Sequence, residues 1–472
     1  MSTEDVTVAD IAQRSPGLRA VLGSPEQIVR GITNVSADVM PGWMFACVPG
    51  SLVDGHQFAT DAHDRGAVAL LAERSVGADL PCILVDDVRV ALGHASAAVY
   101  GDASRELTVV GVTGTNGKTT TTWLLSSVLN AVGRSCTMLG TLSGSFTTPE
   151  APLLQRVLRA AVTRNESAVA MEVSSHALAL NRVDATWFEV GVFTNLTQDH
   201  LDLHGSIDTY FAVKSRLFEP GRCGVGVINT ADEYGRRLIE ACEIDTVGYS
   251  PADAVDVDFD AQSSRFRWRG RRVHIGMGGH FSVTNAVAAA TAASACGVGD
   301  DEIVEALAVA PPVPGRFEPV DAGQPYAVIV DYAHTPDGLA NALRAARRVT
   351  SERLIVVFGC GGDRDRTKRS IMGSVASDLA DVVVITSDNP RSESPAAIIG
   401  DVLSGIAEHR RGAVVTEPDR RAAIALAVGS ARAGDVIVVA GKGHESTQTI
   451  GRDVQPFDDR VVARELIEAT AR

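Results

Sequence analysis

Leu107-Thr-Val-Val-Gly-Val-Thr-Gly-Thr-Asn-Gly-Lys-Thr-Thr-Thr-Thr122 is the stretch that decides the reading of this chain. Residues 107–112 form an apolar, β-branched run, the pattern of a buried strand. A turn carrying Gly114 and Gly117 follows. Then Trp123, Leu124, Leu125, Val128 and Leu129 recur at helical spacing. Strand, glycine turn, Lys-Thr and helix together are the context of a phosphate-binding loop. Backbone N–H groups at a helix N-terminus can cradle a polyphosphate. Lys118 would reach the outer phosphates, and the Thr119 hydroxyl would hold Mg²⁺. The spacing G-x-x-x-x-G-K asks for glycine where this chain has Val112; the nearest glycine is Gly111. An ordinary α/β turn is the competing reading, and Lys-Thr at a helix start after a buried strand weighs against it.

Composition bounds the rest. A chain of 472 residues predicts two to four domains. Hydrophobic residues make up 45% and aromatics only 5%, which favours close-packed α/β layers over a β-sandwich. The formal net charge of −15 argues against nonspecific nucleic-acid binding. Seven cysteines are scattered without a C-x-x-C pair, so neither a zinc ribbon nor a disulfide framework is expected. A reduced, cytoplasmic protein is expected instead. Met1-Ser-Thr-Glu-Asp5 lacks the apolar core of a signal peptide. No apolar run reaches the ~18 residues of a membrane helix, so no membrane insertion is expected.

Three α/β units follow in order. Residues 1–104 alternate short strand and helix patterns, with strands near 31–36, 44–48, 67–72 and 83–86. Ser36, Ser51 and the Asp54-Gly55 turn lie at strand ends, where ligands or plain turn chemistry are both at home. Residues 105–312 hold the phosphate loop, buried strands near 168–172, 190–195 and 225–229, and an alanine-rich helix over 283–296. Residues 313–472 open on a proline/glycine hinge, 313–317. Four apolar strands follow, at 327–331, 354–358, 382–386 and 436–440, with helices between them. A central parallel sheet and a second doubly wound sheet are therefore predicted.

Several polar groups stand at the C-terminal ends of these strands, where α/β proteins bind ligands. Glu172 ends one and could ligate Mg²⁺ or cap a helix. His200 and His204 are spaced H-x-x-x-H without the glutamate of a zinc-protease helix. They read as structural, or His200 as a ligand to a second divalent ion. Lys214 could be a solvated cation, a phosphate contact, or, after combining with CO₂, a carbamate able to hold Mg²⁺. The loop 361–369 is rich in glycine and charge; Arg364, Arg366, Lys368 and Arg369 suit an anionic ligand or a solvated loop. Asp388, Arg391 and Glu445 end neighbouring strands and together suit a zwitterion, carboxylates for its ammonium and guanidinium for its carboxylate.

The ordered set Thr113-Gly-Thr-Asn-Gly-Lys-Thr-Thr120, Glu172-Val-Ser-Ser-His176, Thr194-Asn-Leu-Thr-Gln-Asp-His-Leu-Asp202, Tyr210-x-x-x-Lys214, Gly315-Arg-Phe-Glu318, Asp331-Tyr-Ala-His-Thr-Pro336, Gly359-Cys-Gly-Gly-Asp-Arg364 and Gly441-Lys-Gly-His-Glu445 resembles the Mur ligases of peptidoglycan synthesis. The likeness runs through nearly the whole chain. It is strongest to the branch that adds the third residue of the stem peptide. The resemblance implies three domains, for the UDP-substrate (1–104), ATP (105–312) and the incoming amino acid (313–472). It implies that ATP phosphorylates the D-glutamate γ-carboxylate of UDP-N-acetylmuramoyl-dipeptide, and that an amine then displaces the phosphate.

Residue roles follow from the same resemblance. ATP is implied at Gly114, Thr115, Asn116, Gly117, Lys118, Thr119 and Thr120, with Asn285 near the adenine, Arg316 facing the nucleotide and Asp331 the ribose. Mg²⁺ is implied at Thr119, Glu172, His200 and Lys214, the last as a CO₂-derived carbamate. Lys118, Glu172, His200 and Lys214 make up the implied catalytic set. Ser36, Thr147, Thr148, Ser174 and Arg182 match positions for the UDP-muramoyl-dipeptide. Arg369, Asp388, Asn389, Pro390, Arg391, Gly441 and Glu445 match the amino-acid pocket.

Members using meso-diaminopimelate carry D-N-P-R, as here, and an arginine suits a substrate with a second carboxylate that lysine lacks. The expected partners are thus the UDP-muramoyl-dipeptide and meso-diaminopimelate, acted on by a monomer. Three departures stand out: Val35-Ser36-Ala37 where Asp-Ser-Arg is usual, a short segment 140–148 with Phe146 replacing a polar residue, and Ser282 where asparagine is frequent. Folate-polyglutamylating and cyanophycin-type ligases share the core but not the Asp388-Asn-Pro-Arg391 run. A switch GTPase is disfavoured because Asn229-Thr-Ala-Asp232 lacks a guanine-reading lysine.

Overall fold

A computed structural model describes residues 5–50, 53–77, 79–144, 146–199 and 201–470. Three large sheets succeed one another along the chain, each with its own apolar cores. The first has five strands in the order Leu18–Leu22, Cys82–Val85, Ala69–Ala72, Trp43–Ala46 and Gly31–Thr33. Its outer strand Leu18–Leu22 runs antiparallel and the others are parallel. Helix Val88–Tyr100 covers one face through Val88, Leu92 and Val99. Asp87 caps that helix by accepting from the Arg89 and Val90 amides, which would otherwise lack partners.

The central sheet is entirely parallel. Its order is Asp245–Tyr249, Cys223–Asn229, Phe188–Phe193, Thr108–Thr113, Ala168–Glu172 and Cys136–Leu139. Thr108–Thr113 is the innermost strand reached first by the chain, with later strands added on both sides. The phosphate loop therefore opens at the switch point, the crevice where such sheets bind ligands. Val109, Val110 and Val112 are wholly buried because helices cover both faces, which explains the unbroken apolar run. Helices Lys118–Ala131 and His280–Ala295 pack together on one face, and the alanines of the second allow close approach. The next segment supplies the edge strand Asp245–Tyr249 and a separate antiparallel sheet of Ala254–Phe259, Ser264–Trp268 and Arg271–Ile275.

The third sheet runs Glu318–Pro319, Ala327–Asp331, Val436–Ala440, Leu354–Phe358, Val382–Ile385 and Val414–Thr416, parallel except at its first strand. All four strands expected from apolar runs are present. Behind it a hairpin, Thr447–Ile450 with Asp453–Pro456, and helix Asp459–Thr470 complete the chain. No helix among the described residues is long and apolar enough to cross a membrane.

A fully buried ion pair ties the last helix to the helix Arg420–Ser430 that packs on this sheet. Arg420 and Asp459 have side chains with no exposure, and Arg420 donates to both carboxylate oxygens at 2.7 and 2.6 Å. Its remaining donors reach Ser387 O at 3.2 Å and Ala440 O at 3.0 Å, the backbone just before two polar loops. Removing one partner leaves the other charge buried alone, at a cost of about 3–5 kcal/mol. Arg420→Met is expected to lower stability by that amount in urea denaturation. A loss below ~1 kcal/mol would contradict the role given to this pair.

Candidate active site

The phosphate loop is held open by its neighbour strand. Gly114 has φ 146° and Gly117 φ 86°. A Cβ on Gly114 would lie 1.9 Å from Thr194 Oγ1, and one on Gly117 2.4 Å from Asn285 Oδ1, so neither position admits a side chain without movement. Thr194 Oγ1 and Asn195 Nδ2 donate to Asn116 O at 2.6 and 3.1 Å, and Asn116 N donates to Asn195 Oδ1 at 2.9 Å. Thr115 N donates to Asn195 O. Lys118 curls back, donating to Gly114 O at 2.9 Å and Thr115 O at 2.8 Å. Burial pulls its pKa down, against the fields of Glu172 and Asp199. Thr120 is buried in the first turn of the following helix.

Thr119 meets two groups. Its Oγ1 donates to Glu172 Oε2 at 3.1 Å and accepts from Arg316 Nη2 at 3.0 Å. Glu172 is buried at the end of its strand, and Thr141 N donates to its Oε1 at 2.8 Å. Gly140 passes so close that a Cβ there would sit 2.3 Å from Glu172 Oε1. Glu172 is thus not a helix cap. Its carboxylate and the Thr119 hydroxyl are adjacent hard oxygen donors, chemistry that fits Mg²⁺. No cluster of three or more His, Cys, Asp or Glu that could hold a metal ion occurs among the described residues.

Lys214 is buried on the other side of the same loop, its Nζ donating to Gly114 O at 2.9 Å and lying 4.7 Å from the Tyr210 ring centroid. Burial, then Lys118, hold its pKa well below the usual lysine range. His204 stacks on Tyr210 at 4.9 Å and bonds Ser175 Oγ at 3.0 Å, a structural histidine. His200 and Ser51 lie outside the described residues.

On the side of the first sheet, Thr148 Oγ1 donates to Glu172 O at 2.9 Å and accepts from Ser174 N at 3.0 Å. Thr147 Oγ1 lies 3.2 Å from Thr141 Oγ1. Arg182 pairs with Glu150 at 2.7 Å, donates to Thr148 O, and faces the Phe146 ring at 5.4 Å. These four expected residues share one rim with Glu172. Ser36 sits on a 3-10 turn in the first unit, hydrogen-bonded to Asp61.

The third sheet brings three loops together. Asn389 Nδ2 donates to Glu445 Oε2 at 2.8 Å, and the buried Lys442 donates to the same oxygen at 2.9 Å. Asp388 Oδ2 would lie 2.6 Å from a Cβ on Gly441, which has φ 115°. Pro390 is packed against Gly362, where a Cβ would meet Pro390 O at 1.9 Å. Arg391, also left-handed at φ 50°, donates from Nη1 to Gly362 O at 2.7 Å. Arg369 differs from expectation in its direction. It is fully buried, and its guanidinium is taken up by Glu393 at 2.8 and 3.0 Å and Asp401 at 2.9 Å. This pairing holds the Glu393 carboxyl down at about 2. Arg369 therefore buttresses the loop from beneath, while Arg364 and Arg366 are exposed.

Contacts join this sheet to the phosphate loop. Besides Arg316 on Thr119, Asp337 Oδ2 accepts from Asn116 Nδ2 at 2.7 Å and from Thr197 Oγ1 at 3.4 Å. Arg316 also lies 4.4 Å over the Tyr332 ring. Asp331 accepts from Phe317 N at 2.7 Å, and burial pushes its carboxyl up against the pull of Arg316. Among the described residues, Arg316 Nε, Arg182 Nε and His444 Nδ1 are buried without a hydrogen-bond partner. Buried donors of that kind are costly unless a ligand meets them, and two guanidinium groups suit phosphate or carboxylate. Thr141, Asp337, Lys442, Glu393 and Arg420 were not expected from the sequence. Asp337, two residues into a Thr-Pro helix start, offered the one usable signal.

Comparison with known proteins agrees with this geometry. The model of the Mur ligase family catalytic domain matches residues 28–100, the Mur ligase middle domain 112–293, and the Mur ligase glutamate ligase domain 315–443. A curated relative from Streptomyces avermitilis, named UDP-N-acetylmuramoyl-L-alanyl-D-glutamate–2,6-diaminopimelate ligase, is 43% identical across 98% of this chain and 97% of its own. A solved structure under the same name is 32% identical with TM-score 0.70, covering 99% of this chain and 100% of that one. MurF from Thermotoga maritima in complex with ADP shares the fold at 19% identity and TM-score 0.66, over 93% and 96% of the two chains. The chain belongs to the Mur ligase family.

Proposed function

We propose that this protein joins meso-diaminopimelate to the D-glutamate of UDP-N-acetylmuramoyl-L-alanyl-D-glutamate at the expense of ATP, in the cytoplasm. The single observation that carries this reading is the Arg316–Thr119–Glu172 contact. It joins the phosphate loop to Arg316 of the third unit, which supports a cleft shared by the nucleotide and the incoming amino acid. Residues 1–104 and the Thr147, Thr148, Ser174, Arg182 rim then form the third wall, for the UDP-substrate. Relatives of that name at 43% identity over nearly the full chain support the substrate pair. Seven free cysteines suit a reducing compartment.

A carboxylate is a poor electrophile, and phosphorylation gives its carbonyl a leaving group. The amine of the incoming amino acid adds to that carbonyl carbon, and the tetrahedral intermediate expels phosphate. Loop amides 114–120 and Lys118 offset the charge that develops during transfer; the Lys118 ammonium need only leave two carbonyls of its own loop. Bound at Thr119 and Glu172, Mg²⁺ would supply further charge neutralisation. Arg316, whose buried Nε has no hydrogen-bond partner among the described residues, suits the nucleotide phosphates. Asp388 and Glu445 suit the ammonium of the amino acid, and Arg391 its distal carboxylate.

Lys214 is the proposed site of a carbamate. Only a neutral amine adds to CO₂, forming an N–C bond and releasing a proton, and burial favours that neutral form. The same burial links stability to pH. Between the depressed folded pKa and the ordinary lysine value, the unfolded chain holds a proton that the folded one excludes. Stability therefore rises with pH across that window and is lowest below the folded pKa.

Phosphate release with UDP-muramoyl-dipeptide and ATP is expected with meso-diaminopimelate and not with L-lysine; equal turnover would overturn the choice of amino acid. Arg391→Ala is expected to lower kcat/KM for diaminopimelate by about 10- to 100-fold, the worth of a charged hydrogen bond. Lys214→Met is expected to lose about a hundredfold or more of activity while flattening the rise of melting temperature with pH. Undiminished activity would remove Lys214 from the metal site.

A further inference from the structure

Chain beyond Glu445 forms a hairpin that reaches back to the Asp388-Asn-Pro-Arg391 loop. Of the eight residues in its two strands, Gln448 alone is buried; the returning strand Asp453–Pro456 is exposed throughout. The hairpin buries almost nothing of its own, so hydrophobic packing does not explain where it sits. Its hydrogen bonds do. Gln448 Nε2 donates to Asp388 O at 2.7 Å. Thr449 N donates to Asn389 Oδ1 at 2.9 Å. Arg391 N donates to Thr449 O at 3.1 Å, and Gly451 N donates to Arg391 O at 2.7 Å. Lys442 Nζ anchors the start of the hairpin at Thr447 O, 2.6 Å.

Asp388, Asn389 and Arg391 are thus each gripped by the same four-residue strand. Arg391 adds itself to that strand as a bridge opposite Ile450. It does so at φ 50°, a conformation that residues other than glycine seldom adopt and that persists only where surroundings enforce it. A buried amide is costly unless bonded, so Gln448 is tied to its carbonyl partner as firmly as the loop is tied to it.

We propose that this hairpin is the selectivity element for the incoming amino acid, and that Gln448 is its positioning residue. It fixes the height and direction of the Arg391 guanidinium relative to Asp388 and Glu445. The pocket then measures the separation between the two ends of a diamino dicarboxylate. Gln448 touches no substrate; it acts through the Asp388 carbonyl and the register of Arg391. This inference rests on the diaminopimelate-ligase reading given above.

Gln448→Leu keeps the volume and removes the donor. In steady-state assays of the full chain, KM for diaminopimelate is expected to rise about five- to tenfold, the usual worth of one buried hydrogen bond with its loop. KM for ATP and for the UDP-muramoyl-dipeptide is expected to stay within about twofold, since the residues proposed for them lie outside this loop, while the preference for diaminopimelate over lysine falls with the KM. Gln448→Asn, one methylene short of the carbonyl, is expected to move the same way and serves if the leucine variant does not fold. An unchanged KM for diaminopimelate, or equal shifts in all three KM values, would overturn the proposal. A wild-type enzyme without preference for diaminopimelate would overturn the underlying reading instead, and is recognised before any variant is made.

Discussion

Thr119 is held between two units of the chain, and the rest of the site depends on that position. Its hydroxyl gives its proton to Glu172 and receives one from Arg316. The first contact stays within the central sheet's own unit. The second crosses to the chain that leads into the third sheet. A few residues away, Asp337 accepts from Asn116 and Thr197, a second tie between the same two surfaces. Both ties end on the phosphate loop itself. The residues proposed for nucleotide and for amino acid are therefore linked through direct contacts, and a shift of either sheet is felt at the hydroxyl proposed for Mg²⁺. Such contacts between units are the kind that form and break as a cleft closes.

Around this point the protein spends buried charge to hold backbone. Arg369, Arg420 and Lys442 are all fully buried, and each is paired with carboxylate. Each also donates to a main-chain carbonyl beside the amino-acid loops: Gly361, Ser387 with Ala440, and Thr447. Buried ion pairs contribute little net stability relative to apolar packing, so their value lies in fixing geometry. The loops they hold contain the left-handed Arg391 and the tight Gly362–Pro390 approach, conformations that apolar packing alone would not specify.

The sequence made legible whatever is buried and regular. Val109 to Val112, Leu354–Phe358 and Val436–Ala440 lie inside layered sheets, so their apolar runs announce themselves. Strand ends then place Glu172, Asp388 and Gly441 with no further information. What stayed hidden lies at edges or points the unexpected way. Leu18–Leu22, Asp453–Pro456 and Val414–Thr416 are exposed edge strands without a strong apolar run, and helix Asp459–Thr470 buries only a narrow stripe. The charge run 363–369 could not reveal that Arg369 turns inward to Glu393 while Arg364 and Arg366 face solvent. Nor could Gln448 be told from any other polar residue on a hairpin, because its partner is a carbonyl sixty residues away.

On the proposed function, phosphate passes to the carboxylate before the amine arrives. Heavy oxygen placed in the γ-carboxylate of the D-glutamyl substrate tests it most directly. One labelled oxygen is predicted to leave in the released phosphate at each turnover, measured by mass spectrometry. Phosphate that carries no label, with the oxygen lost from the carboxylate appearing in water or another product instead, would contradict an acyl phosphate and the arrangement of walls built around it.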